Sequence, residues 1–313
     1  MQTADFDYLL PPELIAQTPI EPRDAARLLV VDRATGGLSH RQVRDLPTLL
    51  RPGDVLVVNR TRVLPARLHG RRLPSGGRVE LLLLRRTGAG RWQVLARPAR
   101  RLPPGSLVAL EPHGLQLRVV EAGEAGLREV ELADAELDVE AGEAALLAAG
   151  ELPLPPYIHA YAGDPERYQT IFASEPGSAA APTAGLHFTP ELVARLAEVG
   201  VELVEIVLHV GIDTFRPVVE ADPSRHRLHR EWYQVPARAQ AQLDAARAEG
   251  RRVVAVGTTC VRTLESWAGT GCAEGWSELF IRPGYRFQRV DQSVCTLWGS
   301  IGSLASVAPP ASS

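Results

Sequence analysis

Two patterns of apolar and polar residues divide the chain. From about residue 67 to 137, short apolar runs alternate with turn signals such as Gly76-Gly77 and the stretch 103–105. Short strands at this regular spacing are typical of an all-β sandwich or small barrel. The pattern predicts a helix after these strands, at residues 139–149, and it predicts the strands themselves at residues 78–84, 92–97, 107–111, 115–120 and 127–132.

The rest of the chain alternates helix, glycine and strand. The Thr189-Pro190-Glu191 sequence begins a helix that Gly200 ends, and the apolar stretch 201–210 follows it. A second unit has a helix at 236–249, Gly250, and a strand at 252–256. With the continuous apolar run at 54–58, this pattern predicts βαβ units and a mostly parallel sheet. The first 50 residues predict a short helix after the Pro11-Pro12 pair and a strand at 27–33.

The predicted fold class is therefore α/β (α+β overall), with a mostly parallel α/β domain and an inserted all-β small barrel. A length of 313 residues agrees with two domains. We expect residues 1–66 and 152–291 to form a discontinuous α/β catalytic domain. Residues 67–151 form the inserted barrel with its following helix. Residues 292–313 lack strand or helix periodicity and are expected to be an aberrant or disordered tail.

Composition excludes several chemistries. All 34 basic residues are arginine, which excludes a Schiff-base lysine and a P-loop lysine. The three cysteines are odd in number and lack CxxC spacing, which disfavours a disulfide framework and a cysteine zinc site. No apolar stretch approaches the roughly 20 residues that span a bilayer, and the start lacks a leader pattern. We therefore expect a cytoplasmic protein that does not enter a membrane.

Charge is distributed unevenly between two neighbouring segments. Residues 60–101 contain 12 arginines and a single acid, Glu80, whereas residues 111–151 contain 11 acids and two arginines. This asymmetry indicates a polyanionic partner for the basic segment, or internal pairing of the two segments. Arginine favours the first interpretation because its guanidinium matches phosphate geometry.

The stretch VAVGTTCVRTLES predicts a strand, a Gly-Thr-Thr turn and a helix. In parallel sheets such a helix begins at the carboxyl edge, where its free N–H groups favour an anion. On that helix, Arg262 and Glu265 either form a solvated ion pair or line a polar cleft. Cys260 is either a nucleophile or, with better support, a small packed residue.

Four other features are candidates for chemistry. The small-residue loop 177–189 carries His187 and is either a tight crossover or a ligand-binding loop. Asn59 ends a predicted strand, where it either caps a turn or contacts a ligand. His209 ends another strand. The H-x-x-H-x-E string of His226, His229 and Glu231 lacks the usual zinc spacing, so contact with phosphate or a base is favoured and no metal site is predicted.

Nine strings in this order resemble one family. They are VNRTRVLPARLHG, GGRVELL, LPLPPYI, RYQTIFA, GSAAAPTAGLHFT, LHVGIDTFRPV, HRLHREWY, VAVGTTCVRTLES and FIRPGYRFQRVD. Over residues 6–291 the chain resembles the S-adenosylmethionine:tRNA ribosyltransferase-isomerases of queuosine biosynthesis. The resemblance implies transfer and isomerisation of the ribosyl group of S-adenosylmethionine onto 7-aminomethyl-7-deazaguanine at the tRNA wobble position. The products are epoxyqueuosine-tRNA, adenine and methionine.

The resemblance also implies partners and site residues. S-adenosylmethionine is the co-substrate, no prosthetic group is expected, the macromolecular partner is tRNA, and the chain is expected to be a monomer. The reaction needs a base for the acidic C–H beside the sulfonium and an acid for the departing adenine. We assign these proton transfers to His187, His209 and Glu265, without dividing the roles. The predicted cofactor-binding residues are Thr183, Gly185, Gly257, Thr258, Thr259 and Arg262. The predicted tRNA-binding residues are Asn59, Arg62, Arg67, Arg71, Arg72, Arg100, Arg101, His226 and His229.

The chain departs from the family pattern at a few positions. Relatives tend to carry a polar or small residue, Gly, Ser and Ser at four positions where this chain has Arg60, Asp213, Arg230 and Cys260, in that order. After Asp291, relatives continue with Asn-Phe-His-Leu-Pro, whereas this chain reads QSVCTLWGSIG. We expect a shifted reading frame near Asp291, which translation of the downstream DNA in the other frames would test. The alternative function is a chain that binds tRNA but is catalytically impaired.

Overall fold

A computed structural model describes residues 2–32, 34–111, 114–134, 138–154, 158, 163–211, 220–226 and 230–295. The chain forms two compact units. The first contains Met1–Arg62, Pro156–Pro176 and Ala181–Ser313, and the second contains Val63–Pro155 and Gly177–Ala180. The predicted insertion at 67–151 falls within the second unit.

The elements are numbered in chain order. The α-helices are α1 (Leu46–Leu49), α2 (Val139–Ala148), α3 (Pro190–Glu198), α4 (Ala237–Ala248) and α5 (Gly257–Thr270). The strands are β1 (Arg27–Val31), β2 (Leu38–Gln42), β3 (Val55–Asn59), β4 (Thr61–Val63), β5 (Arg67–Leu73), β6 (Gly77–Gly88), β7 (Arg91–Arg97), β8 (Leu107–Leu110), β9 (Gln116–Ala122), β10 (Leu127–Leu132), β11 (Glu175–Ser178), β12 (Glu202–Leu208), β13 (Glu231–Gln234), β14 (Val253–Val256), β15 (Glu274–Ser277) and β16 (Gln292–Val294).

The second unit is a closed antiparallel barrel with strand order β10-β7-β6-β5-β8-β9. Side chains alternate along its strands, so that Trp92, Val94 and Ala96 of β7 point inward to a core shared with Leu68 and Leu81. The predicted small barrel is confirmed. Sequence reasoning missed β5 because its outward positions are polar and one inward position is Gly70. A Cβ at Gly70 would lie 2.7 Å from the Ala109 carbonyl oxygen, so the close strand approach requires glycine.

The first unit contains a six-stranded sheet of order β15-β13-β12-β3-β14-β16. Strands β12, β3, β14 and β16 are parallel, and β13 and β15 extend the sheet in antiparallel pairing. All five residues of β3 are buried. Leu56 and Val58 of β3 share a core with Leu192 and Leu196 of α3, while α5 packs against β3, β12 and β14. The predicted mostly parallel α/β class is confirmed.

The structure corrects two local predictions. The expected helix after the Pro11-Pro12 pair is wrong, because only a three-residue 3-10 turn forms at Pro12–Leu14. The sheet also extends beyond Asp291, where a disordered tail was expected to begin. Strand β16 pairs in parallel with β14, matching Val254 with Gln292 and Val256 with Val294.

Across the described ranges no helix has the length and apolar character to cross a bilayer.

Candidate functional site

The carboxyl edge of the sheet brings together residues from six strands. The parallel strands β3, β12, β14 and β16 all end there, and the antiparallel register places Glu231 opposite Ser277 at the same edge. Three predicted site positions therefore share this edge, namely Asn59, His209 and Gly257. Ligands of open α/β sheets bind beyond this edge, so it is the candidate site.

Asn59 joins the ends of two strands. Its Oδ1 accepts hydrogen bonds from the Leu208 N–H at 3.1 Å and the Thr61 N–H at 3.0 Å, and its Nδ2 donates to the Leu208 carbonyl at 2.9 Å. The side chain is buried. These contacts favour the turn-cap interpretation. The predicted contact of Asn59 with tRNA stays a prediction.

His209 is held from two sides. Its Nδ1 lies 2.9 Å from Thr61 Oγ1, and its ring stacks on Trp232 with centroids 5.2 Å apart and planes inclined by 20°. Burial lowers the pKa of His209, and the Glu175 carboxylate opposes this shift. The ring is therefore held in one orientation and favours its neutral form, as a proton acceptor requires.

His187 ends a 3-10 turn, Thr183–His187. Its Nδ1 lies 3.2 Å from the Ala184 carbonyl oxygen. Because a carbonyl oxygen only accepts hydrogen bonds, Nδ1 carries the proton and the neutral ring presents the Nε2 lone pair. Burial and the nearby Arg23 charge lower the pKa of His187, while the Ala184 hydrogen bond raises it. The geometry suits a general base.

The His187 turn packs against the start of α5. A Cβ at Gly257 would lie 3.4 Å from the Ala184 Cβ, and Gly257 has φ of 84°, a conformation that favours glycine. Gly185 is also closely packed, since a Cβ there would lie 3.0 Å from Thr170 Cγ2. These two predicted cofactor-binding glycines thus allow backbone segments to approach closely.

The amino end of α5 has no acidic cap, and its Gly257 N–H lies against the Cys295 thiol. Val256 occupies the N-cap position and provides no side-chain hydrogen bond, and the first turn carries no acidic residue. The first N–H groups of a helix lack intrahelical acceptors, and the helix dipole favours negative charge beside them. Thr258 and Thr259 lie in this first turn, as predicted from the sequence, with half-buried side chains.

Arg262 does not pair with Glu265. Its Nη1 donates to Glu231 Oε2 at 2.5 Å, its Nε to Ser277 Oγ at 3.1 Å, and its Nη2 to the Ser277 carbonyl at 3.0 Å. Glu231 also accepts from the Gly211 N–H at 2.8 Å. The interpretation as a solvated intrahelical pair is wrong, because Arg262 joins α5 to the ends of β13 and β15.

Glu265 is 1% exposed and accepts four hydrogen bonds from one segment. Its Oε2 accepts from the Tyr285 hydroxyl at 3.1 Å and the Gln288 N–H at 2.9 Å. Its Oε1 accepts from the N–H groups of Arg289 at 2.9 Å and Val290 at 3.1 Å. These contacts favour a positioning role for the carboxylate. The predicted proton transfer by Glu265 stays untested.

Part of the basic segment is paired internally. Arg62 contacts Glu166 at 2.7 Å and Arg71 contacts Glu111 at 2.6 Å. Two further pairs, Arg86–Glu143 at 2.8 Å and Arg91–Glu131 at 2.9 Å, join the two charged segments within the barrel unit. The internal-pairing alternative thus accounts for some of the run, and other arginines stay exposed.

The remaining predicted tRNA-binding residues differ in environment. Arg100 and Arg101 are exposed on the 3-10 turn Ala99–Arg101, whereas Arg72 is half-buried. Arg67 donates through Nη2 to the Leu154 carbonyl at 3.3 Å. His226 lies 2.7 Å from Glu220, and His229 lies outside the described residues.

The sequence left metal binding and a reactive cysteine as alternatives, and the structure bears on the cysteine. Among the residues that the structure describes, no cluster of metal-ligating side chains occurs. Cys260 is fully buried, and burial raises the pKa of its thiol far above the ordinary value. The preferred interpretation of Cys260 as a packed residue is confirmed.

Sequence reasoning missed three residues at the site. Thr61 had a local signal, since it lies two residues after Asn59 and the pair form an Asx-type contact. Trp232 lies next to Glu231 but stacks on His209, a contact that depends on the pairing of β12 with β13. Arg23 lies in the irregular first segment, and its sequence context gave no signal.

The sheet order and the polar residues at its carboxyl edge define an α/β protein with a candidate ligand site where its parallel strands end. A family model described as queuosine biosynthesis protein matches residues 3–299. The chain belongs to this family, which confirms the resemblance seen in the motifs.

Individual relatives agree over most of their length. The S-adenosylmethionine:tRNA ribosyltransferase-isomerase of Symbiobacterium thermophilum is 52% identical over 298 residues, covering 94% of this chain and 86% of the relative. The protein of the same name from Moorella thermoacetica is 51% identical with the same coverage. A crystal structure of S-adenosylmethionine tRNA ribosyltransferase from Thermotoga maritima is 35% identical, covers 95% of this chain and 85% of its own, and has a TM-score of 0.49.

Proposed function

We propose that the chain transfers and isomerises the ribosyl group of S-adenosylmethionine onto 7-aminomethyl-7-deazaguanine in tRNA. Adenine and methionine are released and epoxyqueuosine-tRNA is formed. The observation that carries the proposal is the match of residues 3–299 to the family, together with relatives of this activity at about half identity. The function is that of a transferase and isomerase.

The co-substrate is proposed to bind at the start of α5. A carboxylate such as that of the methionyl group suits the uncapped N–H groups and the hydroxyls of Thr258 and Thr259. The turn with Thr183 and Gly185 lies beside this helix start, because Ala184 packs on Gly257. Arg262 is among the predicted cofactor-binding residues, but its contacts with Glu231 and Ser277 favour a role in positioning α5.

The two histidines are proposed to carry the proton transfers. A sulfonium makes the neighbouring C–H acidic, and His187 offers a neutral Nε2 acceptor to remove that proton. His209 lies at the end of β12, two strands from β14, which corresponds to about 10 Å across the sheet. It is proposed to exchange the second proton. Glu265 holds the segment at 285–290 in place.

The tRNA is proposed to contact arginines of the barrel unit, foremost Arg100 and Arg101, which are exposed. Arg67, Arg71, Arg72, Arg62, Asn59, His226 and His229 complete the predicted set. Those with acidic partners would exchange them for phosphate on binding, which costs part of the gain. We further propose that the chain is a cytoplasmic monomer. Size-exclusion chromatography with light scattering should then give the mass of a single chain.

No observation favours the catalytically impaired alternative, and the family match extends past Asp291 to residue 299. The decisive experiment incubates the folded chain with S-adenosylmethionine and tRNA carrying the aminomethyl base, and follows adenine release by chromatography. Adenine that depends on both substrates supports the proposal. Unchanged tRNA binding without adenine release supports the impaired alternative instead.

A further inference from the structure

We propose that Arg23 is a positioning residue for His187. It joins the turn that ends at His187 to a second segment of the chain. The proposal rests on the proposed function, because it assigns Arg23 a place in the same reaction. Arg23 begins the 3-10 turn Arg23–Ala25 in the first segment and is half-buried. Nothing in the family motifs that identify the site includes it.

The hydrogen bonds of Arg23 define this role. Its Nη1 donates to the Gln169 carbonyl at 2.8 Å and to the Leu186 carbonyl at 3.3 Å. Leu186 directly precedes His187, so the guanidinium fixes the peptide from which the histidine projects. Three separate segments of the first unit therefore meet at one side chain.

The His187 turn needs such external support. Its own backbone hydrogen bonds are short-range, from the Gly185 N–H to Pro182 at 2.9 Å and from the Phe188 N–H to Gly185 at 3.3 Å. Short 3-10 turns have poor hydrogen-bond geometry and are weak by themselves. On the same side, Gly185 packs against Thr170, the residue after Gln169. Arg23 thus reinforces a contact that the glycine already makes.

The charge of Arg23 serves the same end. Among the described residues, Arg23 is the charged side chain that lowers the pKa of His187, in addition to burial, while the Ala184 carbonyl acts in the opposite direction. A base must be unprotonated before it can accept a proton. The guanidinium therefore fixes the peptide that carries the ring and adds to burial in favouring the neutral form.

Arg167 provides a matched control. Its Nη2 donates to Glu21 at 2.8 Å and to the Ile20 carbonyl at 3.4 Å. It therefore joins the same first segment to the same region near Gln169, with an arginine, but makes none of the Leu186 or His187 contacts. Arg167→Gln removes a guanidinium and a link between segments without touching the turn.

The experiment compares Arg23→Gln, Arg23→Lys and Arg167→Gln. The ring signals of His187, assigned with a His187→Gln variant, are titrated by NMR without substrate, and adenine release is measured across pH. Arg23→Gln is expected to move the His187 titration and the acid limb of the rate profile to higher pH. It should also lower the rate about ten- to a hundredfold, the usual loss when a reacting group is misplaced.

Arg23→Lys keeps the charge but lacks the planar fork, so it should restore the titration and recover only part of the rate. Arg167→Gln should leave both unchanged. If the His187 titration moves in Arg23→Gln but adenine release keeps its rate and pH profile, Arg23 acts on His187 and the catalytic assignment of the histidine fails. If the titration of a folded Arg23→Gln matches the wild type, or Arg167→Gln shifts it equally, the proposal is overturned.

Discussion

At the scale of single residues, the candidate site contains two histidines whose surroundings favour the neutral ring. His187 and His209 are partly buried, and burial lowers the pKa of each. Each also has one ring nitrogen engaged, by the Ala184 carbonyl and by Thr61 Oγ1. A buried imidazole with one fixed nitrogen offers its other nitrogen for proton exchange at neutral pH.

Replacement of the predicted base tests this interpretation. His187→Gln removes the Nε2 acceptor but retains an amide of similar size, so adenine release should fall by about a hundredfold or more. Affinity for tRNA, measured by filter binding, should not change, because His187 lies at the proposed co-substrate side. His40→Gln changes an exposed histidine of β2 and is the control. A normal rate in His187→Gln would remove the residue from the mechanism.

Folding stability should depend on pH through the same two histidines. Their pKa values lie below the ordinary 6.5 in the folded chain, so on acidification below that value the unfolded chain takes up protons first. Their contribution to stability is therefore complete above 6.5 and is lost as pH falls toward the folded values. Urea unfolding across this range should show a steeper loss for the wild type than for a His187→Gln, His209→Gln double variant. Parallel curves would show that other groups control acid stability.

At the scale of elements, a buried ion pair connects the helix to the sheet edge. Arg262 of α5 and Glu231 of β13 lie 2.5 Å apart with side chains 12% and 7% exposed, and Ser277 of β15 accepts from the same guanidinium. A buried pair of this kind contributes little net stability compared with apolar packing, but removal of one partner leaves an uncompensated charge. The pair therefore fixes where α5 begins relative to the edge strands.

Glu231→Gln should accordingly destabilise the chain by about 3 kcal/mol, because the Arg262 charge stays buried without its partner. The midpoint of urea unfolding measures the change. Arg230→Gln is the neighbouring control, since the Arg230–Glu278 pair is exposed on both sides and exposed pairs contribute little. Equal effects of the two variants would show that burial does not determine the cost.

Elements with strong local patterns were predictable from the sequence, and contacts between elements were not. The helix-glycine-strand order revealed α3 with β12 and α4 with β14, and the carboxyl-edge rule brought Asn59, His209 and Gly257 together. Strands β13 and β15 have four residues each and no long apolar run, so they had no comparable signal. The partners of Arg262 and Glu265 depend on β13 and on residues 285–290, which lie far away in the sequence.

At the scale of the whole molecule, positive and negative charges are concentrated in separate segments of the chain, which the net charge does not show. The formal net charge is −3, yet the basic segment and the acidic segment that follows it both belong to the barrel unit for most of their length. Ion pairs such as Arg86–Glu143 neutralise part of the basic segment. Arg100 and Arg101, which are exposed, are therefore stronger candidates for phosphate contact than the arginines that pair with acids.

Salt dependence distinguishes these two groups of arginines. Each phosphate neutralised in a single-stranded region contributes about 0.7 to the slope of log affinity against log salt, so an Arg100→Gln, Arg101→Gln double variant should lower the slope by about 1.4. Arg86→Gln is the control, because that guanidinium already pairs with Glu143 at 2.8 Å and should change the slope little. Binding of tRNA is measured over a salt series with each variant. A double variant with the wild-type slope would show that tRNA lies elsewhere, and a large change in Arg86→Gln would show that internal pairs open on binding.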